Sequence, residues 1–369
     1  MGGRCVALAA VAAILSIACG SSPSALDRDY ASAQEQMRRG RIDAALEAAA
    51  DAATRAERAG DELRTWRFRL LVADAELSRG SLAAARRWLD DTVPQKSELN
   101  TVRGRQLQLL ARSKVAQGQL DEAPALIAAA KPLAEADPAL LADLELLESQ
   151  VLYRTGRAAQ ADTLLGATLE RVSAEGDPYR LAQVSIASGM GLVTRGRYDE
   201  ALPHFERVVE NAALEGTTVQ AQALNNAGLC HARVGQFDQA IALQQRAVAS
   251  QESGRKQSLA QALGELGSTY LLREDYAQSV EYLRRAFGIA ADAGLASDAA
   301  LFARNLAAAY VAMEQWDDAA HYNQEAARLA QSSGGGPSPY ALVTEGRIAA
   351  GRGRGDDAAR LFRQAVSEP

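Results

Sequence analysis

The chain is poor in the residues from which catalytic centres and disulfide cores are built. Its 369 residues hold three cysteines and three histidines. His204, His231 and His321 have no second His or Cys one helical turn away and no HExxH setting, so zinc spacing is missing. Aromatic residues make up only 5% although 48% of the chain is hydrophobic, so Ala and Leu carry the apolar load. That balance favours close-packed helices over sheets. No Lys/Arg run breaks the net charge of −6, which excludes a nucleic-acid footprint. Acidic and basic residues alternate instead, as on solvated helix faces. The long apolar run Cys5–Ala18, preceded by the lone charge of Arg4, is too short for a membrane span, which needs roughly 20 residues. It suits the apolar core of a signal segment.

That run ends Leu15-Ser16-Ile17-Ala18-Cys19-Gly20-Ser21-Ser22, small residues before a Cys and a Gly/Ser/Pro stretch after it. The segment resembles a bacterial lipoprotein lipobox, with Ser16 where that family prefers Leu. The resemblance implies a signal peptide over 1–18, lipidation of Cys19 on its thiol and amine, and a lipidated linker over 19–26. It also implies a place in the bacterial cell envelope. Gly20 rather than Asp follows the Cys, which implies the outer membrane, facing the periplasm, in a Gram-negative host. A secretory signal with an incidental Cys is the plainer alternative. One acyl chain holds a protein marginally and two or more hold it firmly. With Cys5 removed and Cys19 modified, Cys230 stands alone and forms no internal disulfide. The fold then needs a long continuous core.

The chain repeats itself. Gly40, Gly80, Gly118, Gly156, Gly196, Gly235, Glu274, Glu314 and Gly353 occupy one column at intervals of 38 to 40. A Gly just past an amphipathic helix enters the left-handed C-cap conformation without strain. Two residues on comes a large apolar group, Tyr198, Phe237, Tyr276 or Trp316, then in several copies an Asp (Asp43, Asp121, Asp199, Asp238, Asp317, Asp356). The Asp is expected to N-cap the next helix. Ala201, Ala240, Ser279 and Ala319 follow, small enough for two helices to approach closely, as do Gly189, Gly228, Gly267 and Ala307 on the preceding helix. If Phe237 is buried, its loss costs about 3–5 kcal/mol.

These columns resemble the tetratricopeptide repeat. In Leu224–Ile241 the matching residues are Asn225, Asn226, Gly228, Gly235, Phe237, Ala240 and Ile241. The match is strongest from Leu181 to Gln331, and the period near 39 is similar to the longer-helix variants of the family. The resemblance implies an all-α, right-handed superhelical solenoid of about nine antiparallel helix hairpins. About eight lie in 27–331, a Gly/Ser/Pro linker spans 332–339, and a terminal hairpin spans 340–369.

Catalytic motifs give way to simpler readings. His231 and Cys230 read as packing groups. The acidic doublets Asp199-Glu200 and Asp317-Asp318 read as helix-start charges. GRGRG at Gly351–Gly355 lacks the strand and the Lys-Ser/Thr ending of a phosphate loop. No catalytic residue, metal ligand or cofactor is assigned. The resemblance instead implies a concave face formed by the first helix of each hairpin, which binds a peptide or partner helix. Its groove columns give Gln183, Ile186 and Met190; Gln222, Asn225 and Leu229; Gln261 and Ser268; and Arg304. Gln183, Gln222 and Gln261 form an amide ladder suited to an extended backbone. A carboxylate clamp is disfavoured at these columns, which hold Ile186/Met190, Asn225/Leu229 and Gly264/Ser268. The expected function is a non-catalytic interaction scaffold on a membrane-anchored lipoprotein, with the layout of those that serve envelope assembly. A ligand- or peptide-sensing regulator is the alternative, and an enzyme with an unrecognised site the third reading.

Overall fold

The computed structural model describes residues 24–252, 255–332 and 339–367. The signal segment and Cys19 lie outside the described residues, as does most of the 332–339 linker. Among the described residues the fold is an all-α helical-repeat solenoid. Its helices pair in order: α1 (Ala25–Arg38) with α2 (Ile42–Arg58), α3 (Glu62–Ser78) with α4 (Leu82–Leu89), α5 (Asn100–Ala116) with α6 (Ala123–Ala130). Next come α7 (Pro138–Arg154) with α8 (Ala158–Glu175), α9 (Pro178–Val193) with α10 (Tyr198–Val209), and α11 (Thr218–Arg233) with α12 (Phe237–Gln251). The last are α13 (Lys256–Leu272) with α14 (Tyr276–Asp292), α15 (Ala296–Ala312) with α16 (Trp316–Ser332), and α17 (Pro339–Gly351) with α18 (Gly355–Ser367). Helix α1 begins inside the expected 19–26 linker, because Ser24 and Asp27 form a reciprocal capping box there.

The periodic glycines do what their spacing predicts. Gly235 has φ +83°, its N–H reaches the Ala232 carbonyl at 3.2 Å, and the Gln236 N–H reaches that of His231 at 2.8 Å. This Schellman closure ends the first helix of the pair. Two copies carry Glu instead and still take the left-handed conformation: Glu274 at φ +66° and Glu314 at φ +58°.

Asp43, Asp199 and Asp238 do not cap the second helices of their pairs. The second helices α2, α10 and α12 start on the large apolar residue itself, after an N-cap (Arg41, Arg197 or Gln236) that makes no side-chain hydrogen bond. Asp43, Asp199 and Asp238 fall in the first turn, where their charge still suits the helix dipole. True Asp caps stand one residue before their helix: Asp61, Asp137 and Asp177 ahead of first helices and Asp275 ahead of the second helix α14 each accept a backbone N–H.

The core is a run of small-residue contacts between helices, not one central cluster. Ala201, Ala240, Ser279 and Ala319 have no exposed surface. A Cβ on Gly189 would lie 2.7 Å from the Phe205 ring, and one on Gly267 would lie 2.7 Å from Leu283. Helices pack this closely only where a side chain is missing. Phe205 is fully buried, whereas Phe237 is half-buried at the hairpin turn. Its removal therefore costs less than the sequence suggests, about 1–2 kcal/mol. The terminal hairpin is seated on its neighbour: the Trp316 ring occupies the space a Cβ on Gly351 would need, and Asn323 donates to the Ala341 carbonyl at 3.1 Å.

Candidate functional site

The first helices of successive pairs face inward, and after about five hairpins the superhelix meets its own start. The Arg38 guanidinium lies over the Tyr179 ring, 4.7 Å from its centroid. Beside it, the Tyr179 hydroxyl and Thr218 hydroxyl are 3.3 Å apart. The turn after α1 passes so near α11 that a Cβ on Gly40 would sit 3.1 Å from Thr218 Cγ2. This return shapes a half-open channel of about 380 Å³, lined by α1, the start of α2, α3, α5, α7, α9, α11 and the start of α13.

The channel wall is ionic. Asp74 on α3 is buried, at 7% exposure. Arg105 on α5 reaches it at 3.0 Å, and Arg112 pairs with its other oxygen while donating to Ser78 at 2.8 Å. Burial pushes the Asp74 carboxyl up, but Arg112 and Arg105 outweigh burial and hold it below the ordinary carboxylate range. Arg105 also pairs with Asp143 on α7, whose carboxylate lies 3.8 Å from Arg180 on α9. Arg180 in turn pairs with Asp177 at 2.9 Å. On the far side, burial and the proximity of Arg112 lower the pKa of Arg255, whose guanidinium donates to Gln257 at 2.9 Å. Among the described residues, neither Arg38 nor Arg255 has a carboxylate within ion-pair distance. Gln108, 6% exposed, lines the same channel with its buried Oε1 unpartnered.

The expected groove residues divide. Gln183 and Gln222 line the channel, and with Ile186 and Met190 they also line an adjoining depression of about 380 Å³. Asn225 and Leu229 are half-buried and line neither. Gln261 lies beyond the channel and hydrogen-bonds toward Asp298 on α15. The Ser268 hydroxyl is used by the scaffold, donating to the Gly264 carbonyl at 2.7 Å and accepting from Asn305 at 2.9 Å. Arg304 stands over the Tyr340 ring, 5.3 Å from its centroid, in a separate cavity of about 640 Å³ between α15, α16 and α17. The ladder is thus cut after Gln222, because the turn closes at α11 and the start of α13.

The sequence reading missed Asp74, Arg105, Gln108, Arg112, Asp143, Gln150 and Arg255. The signal was present for most of them. Gln222, Asn225 and Leu229 stand thirteen, ten and six residues before Gly235. The same offsets from Gly118 give Arg105, Gln108 and Arg112, and from Gly156 they give Asp143, Leu146 and Gln150. These copies carry Leu120 or Ala158 where others have an aromatic residue, so their repeat signature is weaker.

Cys230 is buried, which pushes its thiol up to about 11 and away from nucleophile chemistry. His231 sits with Nδ1 2.6 Å from Gln236 Oε1. Among the described residues no cluster of His, Cys, Asp and Glu is placed to hold a metal, and no helix is long and apolar enough to cross a membrane.

Comparison with known proteins supports the fold. No curated protein matches the chain. Among solved structures it is similar to a signal transduction ATPase with numerous domains carrying a tetratricopeptide repeat sensor, from Pyrococcus horikoshii. The TM-score is 0.62 at 16% identity over 88% of this chain and 53% of that one, so this chain spans about half of that protein's length. The apo quorum sensor NprR from B. thuringiensis gives 0.60 at 12% identity, over 92% and 97%. Rap protein complexed with competence and sporulation factor gives 0.61 at 15%, over 92% and 96%. Residues 30–99 and 219–292 both match the tetratricopeptide repeat family, and in those two segments the chain carries tetratricopeptide repeats.

Proposed function

We propose that this chain is a non-catalytic binding protein whose closed superhelical turn holds a peptide, or an extended segment of a partner, in its channel. The observation that carries this reading is one passage lined by Gln108, Gln150, Gln183 and Gln222 from four successive inner helices. Each amide offers a donor and an acceptor, which matches what an extended backbone presents. A quorum sensor and a Rap protein complexed with competence and sporulation factor share the fold, which supports a solenoid that takes a ligand. A photo-crosslinking residue at Gln222 tests the site, with one at the outward-facing Arg246 as control. Peptide trapped at 222 alone supports the channel; equal trapping at both positions overturns it.

The closure itself favours a second reading, a ligand-sensing regulator. A ligand that binds the closed turn better than an open one shifts the population toward closure. Small-angle scattering with and without such a ligand separates the two, since a scaffold keeps its dimensions.

We further place the chain at a membrane of the bacterial envelope, held by acylated Cys19 and facing the periplasm in a Gram-negative host, with a role in envelope assembly. The support is the segment Leu15–Ser22. Incorporation of an alkynyl fatty acid that is lost in Cys19→Ser tests the anchor.

A further inference from the structure

The geometry points to an acidic ligand: the channel selects a peptide bearing carboxylates, anchored between Arg112 and Arg255. The inference rests on the channel being a peptide site and adds the ligand's chemistry. A chain of net charge −6 turns five arginines and only two aspartates into this one passage. Asp74 and Asp143 are shared among Arg105, Arg112 and Arg180, which fixes those guanidinium groups in place before any ligand arrives. Arg38 stacks on Tyr179 and Arg255 bonds an amide, so both keep their positive charge without an opposing carboxylate. Arg255, just ahead of α13, and Arg112 on α5 line the same passage, where two like charges repel each other. A carboxylate between them replaces that repulsion with two charge-assisted contacts, and guanidinium is the group suited to receive it in bidentate geometry. The buried Gln108 on the same helix as Arg112 adds an unpartnered amide oxygen, an acceptor for a ligand backbone N–H.

The test is selection of a random decapeptide display library on the full chain. The expected pool is rich in Asp and Glu. Replacing the acids of a selected peptide with their amides should weaken binding about tenfold or more. Raising salt to about 0.5 M should weaken the acidic peptide and spare the amide form. Arg255→Gln should erase the preference while helicity by circular dichroism stays unchanged, since that residue supports no carboxylate. Arg38→Gln, outside the Arg112–Arg255 pair, should lower the preference less. An enriched pool with no acidic bias overturns the acid selectivity and leaves the peptide site standing. A pool that never enriches overturns both readings.

Discussion

Arg38, at the end of the first helix, stacks on Tyr179, at the start of the ninth, with its guanidinium carbon 4.7 Å from the ring centroid. The pair joins two hairpins far apart in sequence across the passage that both residues line. A cation–π contact is worth about 0.5–2 kcal/mol, small against the stability of a solenoid but acting where the turn meets its own start. Changing both residues to Ala should raise the radius of gyration in small-angle scattering while far-ultraviolet circular dichroism is retained. An unchanged radius would mean that stacking along the superhelix alone dictates the closure.

Glu274 and Glu314 occupy a left-handed turn that glycine fills in the other copies. A side chain in that region costs about 1–2 kcal/mol through its Cβ. Glycine removes this cost but loses more chain entropy on folding. Glu274→Gly and Glu314→Gly should therefore each stabilise by about 0.5–1 kcal/mol. Gly235→Ala should destabilise by a similar amount. Urea denaturation midpoints with an unchanged slope read both signs, and a destabilised Glu274→Gly would contradict the conformational argument.

The repeat was legible because its marker answers to backbone geometry: only glycine enters φ near +80° without strain, so Gly118, Gly156 and Gly235 advertise their turns. The exact helix starts were not. After a three-residue turn the apolar residue already begins the helix, and Asp238 looks like a cap while lying inside it. Nor could the channel be read from one repeat. Each hairpin adds a small rotation, and only their sum brings Arg38 to Tyr179 and ends the Gln183–Gln222 ladder before Gln261. Much of the charged wall lies in repeats of weaker signature, where Ile42, Leu82, Leu120 and Ala158 replace the aromatic residue.

Helical glycines in this fold are of two kinds, and alanine should tell them apart. A Cβ on Gly264 would overlap the Phe302 ring of the next hairpin, while one on Gly166 or Gly288 would meet nothing within 4 Å. Gly264→Ala must push α13 from α15 and should cost about 1–3 kcal/mol. Gly166→Ala and Gly288→Ala gain helix propensity without a clash and should stabilise by about 0.8–1 kcal/mol. Thermal melts of the three variants check the contrast. Loss of stability in all three would place a partner against α8 or α14 that the packing does not show.

Asp74 links channel charge to acid stability. Burial raises its carboxyl, yet Arg112 and Arg105 bring it below the ordinary range, so its folded pKa lies under its unfolded one. The carboxylate's contribution is then fully present above the unfolded value near pH 4 and is lost as pH falls through the folded value. Asp162, lowered by its hydrogen bond from Arg195, acts in the same direction. Glu265, raised by burial despite Arg233, acts oppositely and is relieved by acid. Asp74→Asn leaves Arg105 on Asp143 but takes the carboxylate from Arg112, and the partial exposure of both guanidinium groups moderates the loss. The expected cost at neutral pH is about 2–3 kcal/mol, below the range for breaking a fully buried pair. Urea unfolding of both proteins from pH 7 down to about 3 should show the gap narrowing below pH 4, as the wild-type carboxylate takes up its proton. A gap that stays constant across that range would trace the loss to packing rather than to charge.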